Sequence, residues 1–309
     1  MKKIHLILIL LSFTLINHAQ NKTIKFYFDR VINPRIILDN YEIKGIKMKL
    51  LYDTGSVGNN MLTYNKAKEI GLSLSNDSTY IQTLSGSMKQ RYTSNLYYDP
   101  IFGPFVSATH SDDFLSLTEE PIDGFVGYSD EGNCIEFNFQ KKELCFYDTV
   151  PQFYIANSKV RATILVNGNT GYENEHSHAF NNLFYIQGFI SIADSIKVKT
   201  NFLLDTGMST YSFMMIQDSS LLSKATNYKA VMKSKYGDNY PTIRLEVPEL
   251  SIDTLMTNTR VLPTSGKESF SKPTFGNSPT GGFLGIEFFR EYTRILFDCK
   301  NRKAYFFKE

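Results

Sequence analysis

Leu51-Tyr52-Asp53-Thr54-Gly55-Ser56 is echoed further along the chain by Leu203-Leu204-Asp205-Thr206-Gly207-Met208. In both copies two apolar residues run into Asp-Thr-Gly, and the two aspartates stand 152 residues apart in a chain of 309. Asp and Gly are ordinary turn residues, so one copy alone marks only a loop after a strand. The second copy changes that, and so does a further motif downstream of each. Gly124-Phe125-Val126-Gly127 begins 71 residues after Asp53, and Gly282-Phe283-Leu284-Gly285 begins 77 residues after Asp205. An apolar strand, Asp-Thr-Gly, a long middle and Gly-apolar-apolar-Gly therefore occur twice in the same order. We read one unit used twice, with each copy contributing one carboxylate to a shared site.

Outward from these loops, strand signals dominate. Thr23 to Asp29 alternates, with Ile24, Phe26 and Phe28 on one face, as an edge or interlobe strand should. Ile46 to Tyr52 alternates and then turns fully apolar, so its end enters a core and Asp53 emerges at the tip. Met61 to Ile70 has helical spacing, with Gly71 as its cap. Tyr80 to Tyr92 reads as a hairpin around Ser85-Gly86-Ser87, and Ala230 to Tyr240 as one around Tyr236-Gly237-Asp238. The tips fall 33 and 32 residues after the respective aspartates, an agreement independent of the motif. Ile135 to Phe139 pairs with Leu144 to Tyr147, and Ile295 to Phe297 with Ala304 to Phe307. Thr149 to Lys159 reads as a linker. Lys267 to Thr280, rich in Ser, Pro and Gly, reads as a loop near the cleft. The halves differ after their second motif. Gly285 leads into a short amphipathic helix, Ile286 to Tyr292, whereas Tyr128-Ser129-Asp130-Glu131-Gly132 is too turn-rich for one.

Composition excludes several function classes. Met1-Lys2-Lys3, the apolar run Ile4 to Ile16 and Asn17-His18-Ala19 before Gln20 read as a secretory signal peptide over residues 1–19. The expected location is extracytoplasmic, periplasmic or secreted, with no membrane association after cleavage. Beyond residue 19 the formal charges balance at 31 basic and 31 acidic, so nothing steers the chain toward nucleic acid. Only His110, His176 and His178 remain there, and none sits in a stretch resembling a Ser-His or Cys-His system. Glu173, Glu175, His176 and His178 lie in a polar run from Asn167 to Asn182 that has no counterpart in the first half. We read it as a surface loop, not a metal site. Cys134 and Cys145 flank one hairpin and either pair or stay as thiols. Cys299 is left over.

With these motifs in hand, the sequence resembles an aspartic protease of the pepsin and retropepsin-like clan, and the bacterial two-lobe members more than pepsin. The resemblance covers most of residues 35 to 308. Its most diagnostic stretch is Gly282-Phe283-Leu284-Gly285-Ile286-Glu287-Phe288-Phe289 running on to Ile295-Leu296-Phe297-Asp298. It implies an all-β fold with a few short helices: two pseudo-two-fold related acid-protease lobes, residues 20–150 and 151–309, with a cleft between them. It also implies that the Thr54 and Thr206 hydroxyls lock the two loops together, and that the first hairpin is a flap over substrate. Ser85, Gly86 and Ser87, with Tyr236 and Gly237 in the second half, then become the substrate-binding residues. No Trp occurs in the chain, so the Trp-Tyr pairing that steadies the pepsin flap is absent. Tyr80 and Tyr92 are candidate flap residues, with core or strand-face packing the favoured role for either.

The chemistry explains the residue types. Peptide hydrolysis without metal or covalent intermediate needs an activated water. Two carboxylates about 3 Å apart cannot both ionise, so Asp53 and Asp205 would share one proton, one acting as base and the other as acid. Which of them is the base stays open, because the pair titrates as a unit. Gly55 and Gly207 let two loops approach closely. Ser56 is placed to donate to Asp53, which Met208 cannot do for Asp205, so an asymmetric pair with a less acidic optimum than pepsin is expected. The expected protein is a monomeric endopeptidase acting on polypeptides with no metal and no cofactor. The alternative is a non-catalytic peptide-binding or inhibitory module on the same fold.

Overall fold

The computed structural model describes residues 22–32, 34–56, 60–83, 86–115, 118–127, 134–166, 183–192, 196–209, 211–216, 231–233, 239–241, 243–256, 260–263 and 280–309. Among them strands predominate, with short helices at Tyr64–Glu69, Ser111–Leu115, Gln152–Ala156 and Ile286–Phe289. The fold is all-β and two-lobed.

The sequence repeat is also a repeat of strand pairing. In the first half Ile36–Ile43 pairs antiparallel with Ile46–Tyr52, which runs parallel to Gly124–Val126 with Tyr52 opposite Val126. Asn60–Thr63 then lies antiparallel to Gly124–Val126 and parallel to Gly103–Thr109. In the second half Tyr185–Ile192 pairs antiparallel with Ile196–Leu204, which runs parallel to Thr280–Leu284 with Leu204 opposite Leu284. Ser212–Ile216 lies antiparallel to Thr280–Leu284 and parallel to Arg260–Pro263. The four pairings recur in the same order and sense. The Gly-apolar-apolar-Gly segments are thus the strands beside the acidic loops. They read as apolar runs because successive side chains, on both faces of the strand, are buried: Phe125, Val126, Phe283 and Leu284 alike.

A shared sheet joins the halves. Arg294–Asp298 pairs antiparallel with Cys134–Asn138, setting the closing hairpin of one half against that of the other. Lys22–Phe28 and Arg161–Ile164 extend this sheet on opposite sides. Strands from the two sides of residue 150 therefore form two contiguous blocks that meet at this one pairing. Lys22–Phe28 is an interior strand, between Glu143–Tyr147 and Ile36–Ile43, and not an edge.

Aromatic side chains carry the core across the join. The Tyr52 and Phe137 ring centroids are 5.6 Å apart, Phe137 and Phe297 5.5 Å, and Phe297 and Phe184 4.5 Å. The Phe184 carbonyl accepts from the Leu204 N–H at 2.8 Å. The residue before each aspartate is thereby anchored to one aromatic column, and both loops stand on a common base. Aromatic pairs add about 0.5–1.5 kcal/mol each beyond the area they bury.

Two local expectations are corrected. The helix expected over Met61 to Ile70 begins only at Tyr64, because Asn60–Thr63 is a strand. Met61 and Leu62 are fully buried and pair on both sides, so ladder hydrogen bonds override helical spacing there. Thr63 caps the helix by accepting from the Lys66 N–H at 3.4 Å, and Gly71 ends it at φ +81°, where only glycine is unstrained. The linker at Thr149 to Lys159 contains the short helix Gln152–Ala156. The loop over Lys267 to Thr280 and the turn at Tyr128 to Gly132 lie outside the described residues, save Thr280, which begins a strand.

Candidate active site

Each acidic loop leaves its strand in the same way. The Asp53 N–H donates to the Val126 carbonyl at 2.9 Å, and the Asp205 N–H to the Leu284 carbonyl at 2.9 Å. Three residues on, the chain has turned back: the Ser56 and Met208 N–H groups donate to the Asp53 and Asp205 carbonyls, both at 3.2 Å. The turn aims backbone N–H groups at each carboxyl. Gly55 donates to Asp53 Oδ1 at 2.8 Å, Gly207 to Asp205 Oδ1 at 2.9 Å, and Met208 to Asp205 Oδ1 at 3.1 Å.

The loops are locked to one another by reciprocal threonine bonds. Thr54 Oγ1 donates to the Leu204 carbonyl at 2.7 Å and accepts from the Thr206 N–H at 3.0 Å. Thr206 Oγ1 donates to the Tyr52 carbonyl at 3.0 Å and accepts from the Thr54 N–H at 3.0 Å. All four bonds are buried, and each hydroxyl satisfies two backbone groups of the opposite lobe. Thr54→Val keeps the shape and deletes both bonds of one hydroxyl. Since each buried orphan costs about 1–3 kcal/mol, the variant is expected to lose about 2–4 kcal/mol in urea unfolding, with Thr54→Ser retaining most of it.

The glycines set how closely the loops meet. A Cβ on Gly55 would overlap the Asp205 carboxyl, and one on Gly207 would overlap the Asp53 carboxyl. Each carboxyl thus lies over the glycine of the opposite loop, and the two side chains hydrogen-bond to each other. A Cβ on Gly127 would strike Ser56 Oγ, and one on Gly124 the Met61 carbonyl, so the supporting strand is packed to the limit.

The pair is electrostatically uneven. Asp205 is 8% exposed, while Asp53 is more open to solvent. Burial, the adjoining Asp53 charge and the bond to Asp53 push the Asp205 carboxyl well above the usual carboxylate range, against the Gly207 N–H and Arg35. The pair therefore holds a proton into a higher range than an isolated carboxyl would.

Asp53, Asp205, Thr54, Thr206, Gly55 and Gly207 all meet at this point. Ser56 lies in the loop, but its hydroxyl does not donate to Asp53: it is buried against Gly127 with no hydrogen-bond partner among the described residues. The unevenness expected from Ser56 arises instead from the deeper burial of Asp205, against which the Gly207 N–H works. Gly86 and Ser87 open the strand Gly86–Asp99, paired with Thr83 and Gln82, while Ser85 lies outside the described residues. Tyr236 and Gly237 also lie outside them, between the paired segments Val231–Lys233 and Asn239–Pro241. So do Glu173, Glu175, His176 and His178. Tyr80 is 67% and Tyr92 37% exposed, so neither is the packed residue expected. Cys134, Cys145 and Cys299 are buried thiols outside any disulfide, and burial pushes the Cys134 thiol up to about 12. Among the described residues no group of three His, Cys, Asp or Glu is placed to hold a metal. No described helix is long and apolar enough to cross a membrane.

Sequence reasoning missed two residues. Asn60 is 1% exposed; its Oδ1 accepts from the Gly127 N–H at 3.0 Å, and its amide donates to the Phe102 and Pro104 carbonyls. The available signal was its position: the repeat offset of 152 sets it against the buried polar Ser212. The second is Arg35, whose Nη1 donates to the Gly207 carbonyl of the other lobe. It has no sequence signature.

No family model matches the chain, and no curated protein matches it. Among solved structures it is similar to basic 7S globulin from soybean, at 10% identity and a TM-score of 0.46, over 94% of this chain and 96% of that one.

Proposed function

We propose that the chain is an aspartic endopeptidase of the two-lobe, retropepsin-like kind, exported to the periplasm or beyond. The observation that carries this reading is the meeting of Asp53 and Asp205 under reciprocal threonine bonds, one supplied by each half of a repeated unit. Two adjoining carboxyls holding one proton are the chemical requirement for activating water without metal. In that mechanism a water between the carboxyls loses a proton to the ionised one. The protonated one gives its proton to the scissile carbonyl oxygen, and a tetrahedral diol forms. In its collapse the C–N bond breaks, the protonated carboxyl gives its proton to the leaving amine and a diol hydroxyl returns one to the ionised carboxyl, so the pair ends with the single proton it began with. The backbone N–H groups of Gly55, Gly207 and Met208 hold the carboxyls in place throughout, so little reorganisation accompanies the transfer. An extended segment of polypeptide, pairing with the long hairpin Leu74–Thr83 and Gly86–Asp99, is the substrate form that fits.

The test is hydrolysis of an unfolded protein such as casein from about pH 3 to about pH 8, with and without a statine-type inhibitor, spanning the range where such pairs titrate. Hydrolysis blocked by the inhibitor is expected. With the Asp205 proton held high, the optimum should lie above about pH 3, and a maximum below that would contradict the uneven pair. Folded protein that cleaves nothing at any pH and still binds the inhibitor would instead assign a peptide-binding role.

A further inference from the structure

Arg35 is the one cation that the described residues place against both acidic loops. Two residues beyond the Ile37–Leu51 pair, the ladder brings Arg35 alongside Asp53. From there its Nη1 crosses to the Gly207 carbonyl, in the loop whose N–H groups hold Asp205. The equivalent count in the second half, two residues beyond the Tyr185–Leu203 pair, arrives at the buried Leu183. The cation is therefore one-sided in an otherwise repeated frame. Its backbone N–H donates at 2.7 Å to Asp29, whose side chain is fully buried and also accepts from Arg30. The Arg35 Nε is buried without a hydrogen-bond partner among the described residues. An orphaned buried donor is costly, and the ordinary structural solution at this position would be the leucine of the second half.

We propose that Arg35 is a positioning residue that holds a fixed cation beside the Asp53–Asp205 pair and ties its charge to the opposite loop through the Gly207 carbonyl. This inference rests on the reading of the pair as the reacting centre. The charges facing Arg35 are Asp53, Asp205 and Asp29, with Arg30 opposing. Tyr185 also faces Asp205, and Tyr52 faces Asp53. Burial works against the guanidinium, but three acidic neighbours favour its charge, and arginine stays protonated in proteins. A cation here stabilises the ionised forms of the pair. It offsets part of the burial cost that raises the Asp205 carboxyl.

Without the cation, both protons of the pair are released at higher pH. Arg35→Gln keeps a donor for the Gly207 carbonyl and removes the charge, whereas Arg35→Lys keeps the charge. The measurement is a carbon-13 titration of aspartate carboxyls in the full chain, with the pair's signals assigned from Asp53→Asn and Asp205→Asn. In Arg35→Gln both titration steps of the pair are expected to move up by about one pH unit, a shift set by a charge at close range in a partly screened site. In Arg35→Lys they should stay near those of the parent. The pH profile of kcat/KM should move the same way. Unmoved steps in a folded Arg35→Gln protein overturn the proposal. If that variant does not fold, Arg35→Met decides, since it also removes the charge: steps displaced upward support the proposal, and steps unmoved overturn it. Because the titration is read on the protein itself, a chain that cleaves nothing yet shows displaced steps sinks the protease reading and leaves this one standing.

Discussion

Asp53→Asn and Asp205→Asn are each expected to lower casein hydrolysis by about 10,000-fold, the upper range for removing a general acid or base. The two should be nearly equal, and the double variant little worse, because the carboxyls act as one unit. Their effects on stability should differ in a way that reports the uneven burial. Asp205 is held protonated well above the usual range when folded, and in the unfolded chain it ionises near pH 4. The sign is that of a raised carboxyl. Its penalty is absent below the unfolded pKa and grows as pH rises from there toward the folded value. Asp205→Asn removes an ionisable group that the site keeps uncharged. The inactive variant is therefore expected to melt a few degrees higher than the parent at neutral pH, at roughly 2 °C per kcal/mol for a chain of this size. At about pH 3 the two should melt together. Residual hydrolysis above about one per cent in both single variants would remove the pair from the mechanism.

Gly55→Ala and Gly207→Ala are expected to cost activity at least about 100-fold, the penalty for a misplacement on the scale of an ångström in a reacting pair. A Cβ at either position overlaps the carboxyl of the opposite lobe, and that carboxyl is pinned by backbone N–H groups, so it cannot swing aside cheaply. The loop itself must move, and that strains the threonine bonds at its base. Gly127→Ala offers a control. Its Cβ would meet Ser56 Oγ and the Asp53 carbonyl, not a carboxyl, so it should lower stability more than chemistry. The comparison is made by kcat at saturating substrate beside urea unfolding of each variant. A Gly55→Ala protein with parental kcat would mean that the lobes are not held at so close a separation.

Much of the site was legible because its signals are local. Asp-Thr-Gly ends an apolar strand in both copies, and glycine declares where backbones approach. The supporting strands declare themselves by Gly-apolar-apolar-Gly. Hairpins were legible from alternation and turn residues, so paired segments are found around both expected turns, although Gly86 and Ser87, read as part of the first tip, are paired strand residues. Residues 61–63 failed because helical spacing and a short, doubly buried strand look alike in apolar runs. Ser56 failed because a hydroxyl three residues from a carboxyl has several rotamers, and contact with Gly127 selects the one facing away.

By itself the sequence determined the repeated unit, the two acidic loops and the all-β frame, since each depends on residues adjacent in the chain or repeated at a constant offset. Tertiary structure alone decided how unlike the two loops are. Arg35 reaches Gly207 across 172 positions, and burial falls harder on Asp205 than on Asp53. The shared sheet likewise joins strands more than 150 residues apart. The physical reason is one of range: hydrogen bonds and apolar periodicity leave a local imprint on sequence, whereas desolvation and charge act on whatever the fold brings near.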